Sequence, residues 1–520
     1  MEEAVEICKL RLFLKLAAQV EPDANHDNFG IEPLPDIDFN IKAGNSLVGF
    51  ATYDDARRIV TSKLDFDNAM EEIADRAVQL QNAFDSFRER QIRANGSIPK
   101  ADKLDLRTQL AGLQDVLNRY IGVDYGINLN DKKAFAQWLK SCQPFHWFVE
   151  FYGIMKDGGF DVIIGNPPYV EYRNISEYKV HGYRTESCGD LYAFMLERSL
   201  ALAAKGCRVG FIVPMSCFAV DRFAPLQDLF FERTNPLFIT NWSGDAHPSR
   251  LFEGVDKRLE IVLARTHDAK PQALTVYSSR YIKWYAEERP TLFRTAPVYQ
   301  KLGSAKDLMV FPASVPKVGS GIELEILNLL RQRKRKIGLL ATRNGTHPLY
   351  YTRKVSFFLQ FLNFVPRVFD SLGVSREPSE LKTLQFHEEA MRNLCLACLS
   401  SSLFYWYNII NSDCRNLNKR EIISFPVPDE VSISDLSKLV ELINEIMQCY
   451  EDNSTMRTVH YARTGDLTVQ YFNFRPAKFL IDQLDAVLLP LYGFTDSQQD
   501  FIVNYDIKYR MGSGDDGYEA

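Results

Sequence analysis

The residues best suited to chemistry in this sequence are four consecutive ones, Asn166, Pro167, Pro168 and Tyr169. Each proline fixes its own φ angle and restricts the residue before it to extended conformations, so the turn is stiff. The side chain of Asn166 and the backbone of Pro167 each offer a neutral oxygen as a hydrogen-bond acceptor, and Tyr169 adds a flat aromatic face. The turn directly follows an apolar run, residues 160–164.

Two acceptors beside an aromatic plane suit a planar group that bears an NH2. The acceptors would bind its two N–H bonds, orient the nitrogen toward an electrophile and stabilise the positive charge that builds on it. No strong base is needed, because an alkylated nitrogen loses its proton easily. The tyrosine ring would stack on the planar group, worth about 1–3 kcal/mol for a nucleobase. The alternative is a rigid turn with no chemistry, but the flanking strand and aromatic residue favour a catalytic turn.

The segments around this turn predict the elements that position it. Residues 160–164 predict a buried parallel strand. Residues 190–206 predict a helix that ends at Gly206, and residues 208–214 predict a second buried strand. The order strand, loop, helix, strand is that of a βαβ unit, whose strands direct their carboxyl ends toward ligands. A further strand is predicted from Arg258.

The remaining segments alternate between helical and irregular patterns. The first residues predict an amphipathic helix, and residues 37–41 predict a short strand before a turn at Gly44-Asn45. Residues 52–141 predict a helical hairpin insertion, or alternatively a partner-binding coiled coil. A helix is expected over 384–410, mostly helical structure from about 430, and a frayed tail over the last ten residues.

Composition excludes several classes of protein and of site. The 520 residues are 46% hydrophobic and 25% charged with a net charge of −6, so any contact with nucleic acid requires a local basic surface. No apolar run approaches the roughly 18 residues that a membrane span needs, which predicts a soluble protein. Nine scattered cysteines suit a reducing cytoplasm. Cys395 and Cys398 lie in an apolar run with no second pair, so we expect a buried helical face and no metal site.

The most basic segment supplies the candidate DNA contacts. It lies between residues 331 and 336, where positively charged side chains could contact phosphates. The alternative is a solvated helix face, which charge runs often form. The candidates are Arg331, Arg333, Lys334, Arg335 and Lys336.

The run from Phe160 to Val170 resembles the catalytic motif of amino-methyltransferases that use S-adenosylmethionine. Other segments are similar, in the same order, to type IIG restriction–modification enzymes and related adenine-specific DNA methyltransferases. They are residues 6–16 and 34–50 before the motif, 190–218 after it, 416–428 at the end of the target-recognition domain, and 482–494 with 502–512 at the C-terminus.

The resemblance implies a role for each candidate residue. An adenine flipped out of double-stranded DNA would enter the pocket, where Asn166 and Pro167 accept from its N6 amine and Tyr169 stacks on its ring. Asn45 falls where the family often has Asp or Asn near the adenine of S-adenosylmethionine, although a turn residue is the alternative. Asp190 begins a segment that lines the pocket in relatives, although its position also suits the N-cap of a helix, and it could do both.

The fold class implied by the resemblance is α/β. It comprises a partial Rossmann-like methyltransferase sheet with a helical insertion, followed by a mixed α/β target-recognition region and a helical region. The expected domains are the start of the methyltransferase domain at 1–51, the helical insertion at 52–141, the catalytic domain at 142–308, the target-recognition domain at 309–430 and the C-terminal helical region at 431–520.

The family's glycine-rich cofactor loop has no counterpart before the first helix. The two Gly-x-Gly segments, residues 319–321 and 512–514, are interpreted as turns, and the first two strands of the usual sheet are expected to be missing. The chain is therefore expected to be a truncated or split product, with a separate N-terminal methyltransferase or nuclease chain as a possible partner, or a degraded remnant. Two other functions stay open: a non-catalytic DNA-binding specificity subunit, and methylation of RNA or of glutamine in a protein.

Overall fold

The computed structural model describes residues 2–19, 21, 23–26, 40–61, 67–93, 100–244, 250–267, 274–303, 311, 313–462 and 465–512. The chain forms two compact units. The first unit comprises Met1–Val209 and Arg265–Lys270. The second unit comprises Gly210–Ala264 and Pro271–Ala520.

Helices dominate the described residues. The α-helices are Glu2–Ala17, Tyr53–Thr61, Asp67–Arg93, Lys100–Asp124, Lys132–Cys142, Trp147–Glu150, Tyr152–Lys156, Leu191–Leu202, Ser216–Ala219, Ala224–Arg233, Leu292–Thr295, Gly321–Gln332, Ile337–Leu340, Glu389–Ser400, Ser402–Asn411, Lys419–Ser424, Ile433–Asp452, Lys478–Leu488, Asp496–Val503 and Ile507–Met511. The strands are β1 Phe160–Gly165, β2 Ala203–Pro214, β3 Thr234–Trp242, β4 Leu259–Thr266, β5 Val276–Ile282, β6 Tyr299–Gly303, β7 His347–Tyr351, β8 Phe361–Leu362, β9 Val368–Asp370, β10 Lys382–Phe386, β11 Ser454–Tyr461 and β12 Gly465–Phe472.

The segment 52–141 is helical as predicted, but its described residues form four helices rather than the two of a hairpin. Its long helices, Asp67–Arg93 and Lys100–Asp124, bury aliphatic side chains at intervals of three and four residues, as helix packing requires. The same core includes Val48 and Phe148 of the adjoining segments. The short strand predicted over 37–41 lies mostly outside the described residues, and so does the frayed tail.

Strand β1 forms where the sequence predicts it, but the prediction that it is buried is wrong. Val162 is 60% exposed and Ile164 is 85% exposed. These alternate residues project to one face of the strand, and nothing in the described part of the chain covers that face. An apolar run indicates burial on both faces only where other elements cover both faces.

The helix predicted to end at Gly206 ends four residues earlier, at Leu202. Ala203 is already extended, with φ −77° and ψ 130°, and begins strand β2. The Thr266 hydroxyl donates a hydrogen bond of 2.6 Å to the Ala204 carbonyl, which ties the start of β2 to the end of β4. Gly206 therefore lies inside a strand, at φ +76°, where glycine avoids the strain that a side chain would cause.

The main sheet is mixed. In the second unit its strands follow the order β2-β4-β3-β5-β6, with β3 and β5 parallel and β5 and β6 antiparallel. The strand predicted from Arg258 is confirmed as β4. Two smaller sheets, in the orders β10-β7-β8 and β11-β12-β9, contain antiparallel pairs throughout. The chain is thus an α/β protein, as the sequence predicts.

Two predictions for the C-terminal half are wrong in part. The helix expected over 384–410 begins at Glu389, because residues up to Phe386 pair with β7. That helix also breaks at Ser401, whose side chain caps the next one. The region after 430 is mostly helical as predicted, but the hairpin of β11 and β12, which was not predicted, interrupts it.

The described residues lack two kinds of feature. None of their helices has the length and apolar character needed to cross a membrane. They contain no group of three or more His, Cys, Asp or Glu side chains that could hold a metal ion. Cys395 and Cys398 are buried on the helix Glu389–Ser400, which confirms the predicted helical face.

Candidate active site

The Asn-Pro-Pro-Tyr turn begins directly after β1 ends at Gly165. Asn166 and Pro168 are exposed, Pro167 is buried and Tyr169 is half-buried. Backbone hydrogen bonds then bring the chain to the start of the helix Leu191–Leu202: the Leu191 N–H donates to the Val170 carbonyl at 2.9 Å. The turn and the first residues of this helix therefore lie side by side.

The hydroxyl of Tyr169 donates a hydrogen bond of 2.8 Å to the side-chain oxygen of Asn166. This oxygen is one of the two predicted acceptors, and in the free chain it is already engaged once. A carboxamide oxygen has two lone pairs, so it retains the capacity to accept a second N–H. Burial raises the pKa of Tyr169 to about 12, so the phenol stays protonated near neutral pH and continues to donate.

The ring of Tyr169 is held beside a second aromatic residue. Its centroid lies 6.5 Å from that of Tyr192, with an angle of 88° between the planes. Tyr192 is fully buried in the first turn of the helix Leu191–Leu202. An edge-to-face pair of this kind fixes the ring while leaving other parts of it uncovered.

Asp190 is the N-cap of the helix Leu191–Leu202, as one of its two predicted roles requires. Its carboxylate accepts from the Tyr192 N–H at 3.3 Å, and the residue is 8% exposed. A carboxylate has about four lone-pair positions, so it can accept from several donors at once. Its role toward a cofactor stays a prediction.

Asn45 is a turn residue, as its alternative interpretation predicts. Its side-chain oxygen accepts from the Leu47 N–H at 3.1 Å, and the Tyr178 hydroxyl hydrogen-bonds the same side chain. Its own N–H donates to the Gln143 carbonyl at 2.8 Å. The side chain is partly exposed. Its role toward a cofactor also stays a prediction.

Sequence reasoning missed Tyr183 and Arg198, which connect the Asn45 turn to the helix capped by Asp190. The Tyr183 hydroxyl donates to the Leu47 carbonyl at 2.8 Å. The Nη2 of Arg198 donates to the carbonyls of Leu47 and Gly49 at 3.2 and 3.1 Å. The Nε of Arg198 donates to the Tyr183 hydroxyl at 3.0 Å. The available signal was a charged pair, Glu197-Arg198, in an otherwise apolar helix.

The acceptors at this site suit part of S-adenosylmethionine. Its exocyclic amine and ribose hydroxyls are donors, and the side-chain oxygens of Asn45 and Asp190 are acceptors. Residues 319–321 do not supply a glycine-rich loop, because a carboxylate of the chain itself fills that position. The Glu323 side chain accepts from the Gly319 N–H at 2.8 Å and from the Ser320 hydroxyl at 3.1 Å. The predicted turn is instead a helix N-terminus, since Ser320 is the N-cap of the helix Gly321–Gln332.

The basic segment, residues 331–336, contains three exposed basic side chains and two that are hydrogen-bonded within the fold. Arg331, Lys334 and Lys336 are exposed. Arg333 donates to the Tyr492 carbonyl at 2.6 Å and pairs with a carboxylate, and Arg335 donates to a methionine sulfur. The alternative of a solvated helix face is wrong, because the helix Gly321–Gln332 ends before four of the five residues.

His146 hydrogen-bonds the segment that follows the Asn45 turn, and its ability to do so depends on pH. Its Nδ1 accepts from the Phe50 N–H at 3.3 Å, and its Nε2 lies 3.1 Å from the Asn118 oxygen. Burial, reinforced by the charge of Arg198, lowers the pKa of His146 to about 3. The folded chain therefore keeps this imidazole neutral at pH values where the unfolded chain protonates it.

We expect acid to destabilise the fold through His146. Below about pH 6.5 the unfolded chain protonates His146 and the folded chain does not. This difference in proton binding lowers the free energy of unfolding by about 2 kcal/mol between pH 7 and 5. Burial of Asp485 raises its pKa to about 6 and acts in the opposite direction. Urea denaturation should therefore compare the wild type with His146→Gln. The contribution of Asp485 is the same in both proteins, so it cancels in the difference between their free energies of unfolding. The same pH dependence in both proteins would contradict the assignment.

Two comparisons with known proteins bear on this site. Residues 1–247 match the family described as Eco57I restriction-modification methylase. A protein of Methanocaldococcus jannaschii that is named as a type II restriction enzyme and methyltransferase is 26% identical over 269 residues. The first 247 residues of the chain are thus similar to restriction–modification methylases. Every candidate residue from Asn45 to Asp190 lies within the matched methylase segment.

The methylase similarity covers part of each protein. The aligned region is 44% of this chain, and it spans 22% of the length of the M. jannaschii relative. Among solved structures, the Type IIL restriction-modification enzyme MmeI in complex with DNA is 12% identical, covering 67% of this chain and 56% of that one, with a TM-score of 0.34. The type IIG restriction endonuclease BpuSI is 10% identical, covering 68% and 54%, with a TM-score of 0.29.

Proposed function

We propose that this chain transfers a methyl group from S-adenosylmethionine to the N6 amine of adenine at a specific sequence in double-stranded DNA, as part of a restriction–modification or phage-defence system. The observation that carries the proposal is the stiff turn after β1, with the exposed amide of Asn166 beside the half-buried ring of Tyr169. This turn lies inside the segment that matches restriction–modification methylases.

The donor, when bound, supplies an electrophilic methyl carbon. The oxygens of Asn166 and Pro167 accept the two N–H bonds of the adenine amine and hold its nitrogen in line with that carbon. As the N–C bond formed, the methyl–sulfur bond of the donor would break to leave a neutral thioether, and both oxygens would stabilise the positive charge that builds on the nitrogen. The methylated nitrogen then loses a proton to water. Asn166 can accept the incoming N–H through its second lone pair or after the Tyr169 hydroxyl has moved away.

The donor would be held by Asn45 and Asp190, whose oxygens suit its amine and hydroxyl groups. The Gly-x-Gly segment that the structure describes in full, residues 319–321, is closed by Glu323. We therefore include in the proposal a separate N-terminal methyltransferase chain that supplies such a loop.

The proposed DNA contacts are the exposed members of the basic segment. We expect Arg331→Ala, Lys334→Ala and Lys336→Ala together to reduce the salt dependence of DNA binding, lowering the slope of log K against log salt by about 2–3. Fluorescence anisotropy at several salt concentrations measures this slope. Arg333→Ala is the matched control, because its charge is engaged within the fold. An unchanged slope in the triple variant would remove these residues from the interface.

One observation favours a second candidate, a DNA-binding specificity subunit with an idle motif. The Tyr169 hydroxyl donates to the side-chain oxygen of Asn166, and a turn with only a structural role would tolerate this hydrogen bond. A tritium-transfer assay separates the candidates when DNA, RNA and protein are offered with labelled S-adenosylmethionine, with and without a complementing chain. Label in DNA supports the proposal. Label confined to RNA or to protein, or no label in any preparation, would reject it.

A further inference from the structure

Residues 44–50 form a loop that is fixed on one side by the segment after Cys142. The Phe145 N–H donates to the Val48 carbonyl at 2.7 Å, and the Trp147 indole N–H donates to the Ser46 carbonyl at 3.3 Å. Gly49 has φ +124°, and a Cβ there would lie 2.2 Å from the Phe145 carbonyl oxygen. This side of the loop is determined by backbone packing and tolerates little movement.

The other side of the loop is fixed by two side chains, Arg198 and Tyr183. The Leu47 carbonyl accepts from both, and the Gly49 carbonyl accepts from Arg198. The Arg198 guanidinium also lies over the Tyr183 ring, 5.3 Å from its centroid. Burial raises the pKa of Tyr183 to about 12, so its hydroxyl stays protonated while it accepts from Arg198 Nε.

The partners of Arg198 distinguish it from an ordinary ion pair. Its donors reach two backbone carbonyls and a phenol, whereas the neighbouring Glu197 is engaged by Thr185 through both its N–H and its hydroxyl. The rigid guanidinium holds the Nη2 that meets both carbonyls at a fixed distance from the Nε that meets the phenol, whereas a lysine ammonium has a single nitrogen. The contact therefore sets the position of backbone atoms.

We propose that Arg198 is a positioning residue for the methyl donor, acting with Tyr183 to fix the Asn45 loop against the helix that Asp190 caps. The inference rests on the proposed function. Asn45 begins the loop that Arg198 holds, and Asp190 begins the helix from which Arg198 projects. One side chain thus keeps the two candidate donor-binding residues at a constant separation.

The test compares variants at these two positions in the full chain, within the preparation that methylates DNA. Arg198→Met removes all three hydrogen bonds that Arg198 donates. Arg198→Lys keeps the positive charge without the planar guanidinium, and Tyr183→Phe keeps the aromatic ring without the hydroxyl. Arg208→Met is the matched control, because Arg208 is exposed on β2. The two measurements are hydrogen exchange of peptides covering residues 44–50 and the KM and kcat for S-adenosylmethionine.

We expect Arg198→Met to raise the KM for S-adenosylmethionine roughly tenfold while kcat changes less than about threefold, because lost positioning weakens binding uniformly. Arg198→Lys and Tyr183→Phe should have smaller effects. Exchange in residues 44–50 should accelerate at least about tenfold in Arg198→Met, with peptides from the helix Lys100–Asp124 unchanged.

Three outcomes would overturn the inference or its basis, and they are distinguishable. Unchanged exchange in Arg198→Met would show that the side chain does not hold the loop. Faster exchange with an unchanged KM would show a structural role only. If no preparation methylates DNA, the proposed function fails and the donor-positioning role fails with it, while the exchange measurement still decides whether Arg198 fixes the loop.

Discussion

Replacing Asn166 with alanine should lower kcat for DNA methylation by about a hundredfold to a thousandfold, the effect typical of losing one preorganised stabilising group. The side-chain oxygen would no longer accept from the target amine or stabilise its developing charge. The turn should survive, because Asn166 is exposed and the following prolines keep it stiff. A radiolabel transfer assay at saturating DNA and donor measures kcat.

The control for Asn166→Ala is Asn174→Ala, since Asn174 is an exposed asparagine eight residues further along the same segment. A companion variant, Tyr169→Phe, removes the hydroxyl that engages Asn166 and keeps the ring. It should stay within about threefold of the wild type, whereas Tyr169→Ala loses the stacking surface and should fall much further. Equal activity of Asn166→Ala and Asn174→Ala would reject the catalytic role of the turn.

Replacing Lys283 with methionine should reduce the free energy of unfolding by about 3–5 kcal/mol, the usual effect of breaking a buried ion pair from one side. Lys283 Nζ lies 2.6 Å from an Asp506 oxygen and 3.0 Å from the Tyr405 hydroxyl. The side chains of Lys283 and Asp506 are 5% and 0% exposed. The variant leaves the Asp506 carboxylate buried without this partner, and urea denaturation measures the loss.

The matched control is Lys301→Met, because Lys301 is an exposed lysine of the same sheet. The double variant Lys283→Met with Asp506→Asn removes both charges and should recover part of the loss. Asparagine is chosen because residue 506 has φ +58°, a conformation that asparagine tolerates well. If Lys283→Met is as stable as Lys301→Met, the buried pair does not anchor the C-terminal segment to β5.

The sequence predicts local features of this fold better than tertiary ones. The stiff turn, the Asp190 cap and the Asn45 turn follow from the conformational limits of proline and from local hydrogen bonding, which act within a few residues. The apolar run of β1 correctly predicts a strand. It could not predict exposure, because exposure depends on which other elements cover a face.

The sequence pattern does not predict contacts between residues that are far apart in the chain. Arg198 lies 151 residues from Leu47, and Asp506 lies 223 residues from Lys283. Nothing in the spacing of these residues indicates that they meet. The hairpin of β11 and β12 was missed for a different reason: its alternating residues lie between two strongly helical segments that dominated the prediction for the region.

The most direct measurement of the central claim is a map of methylated adenines in DNA from cells that express the chain with its complementing partner. With the wild type, we predict N6-methyladenine at one defined sequence and its absence from that sequence with Asn166→Ala at equal protein level. The same pattern of N6-methyladenine with Asn166→Ala would contradict the claim that this side chain holds the target amine during methyl transfer.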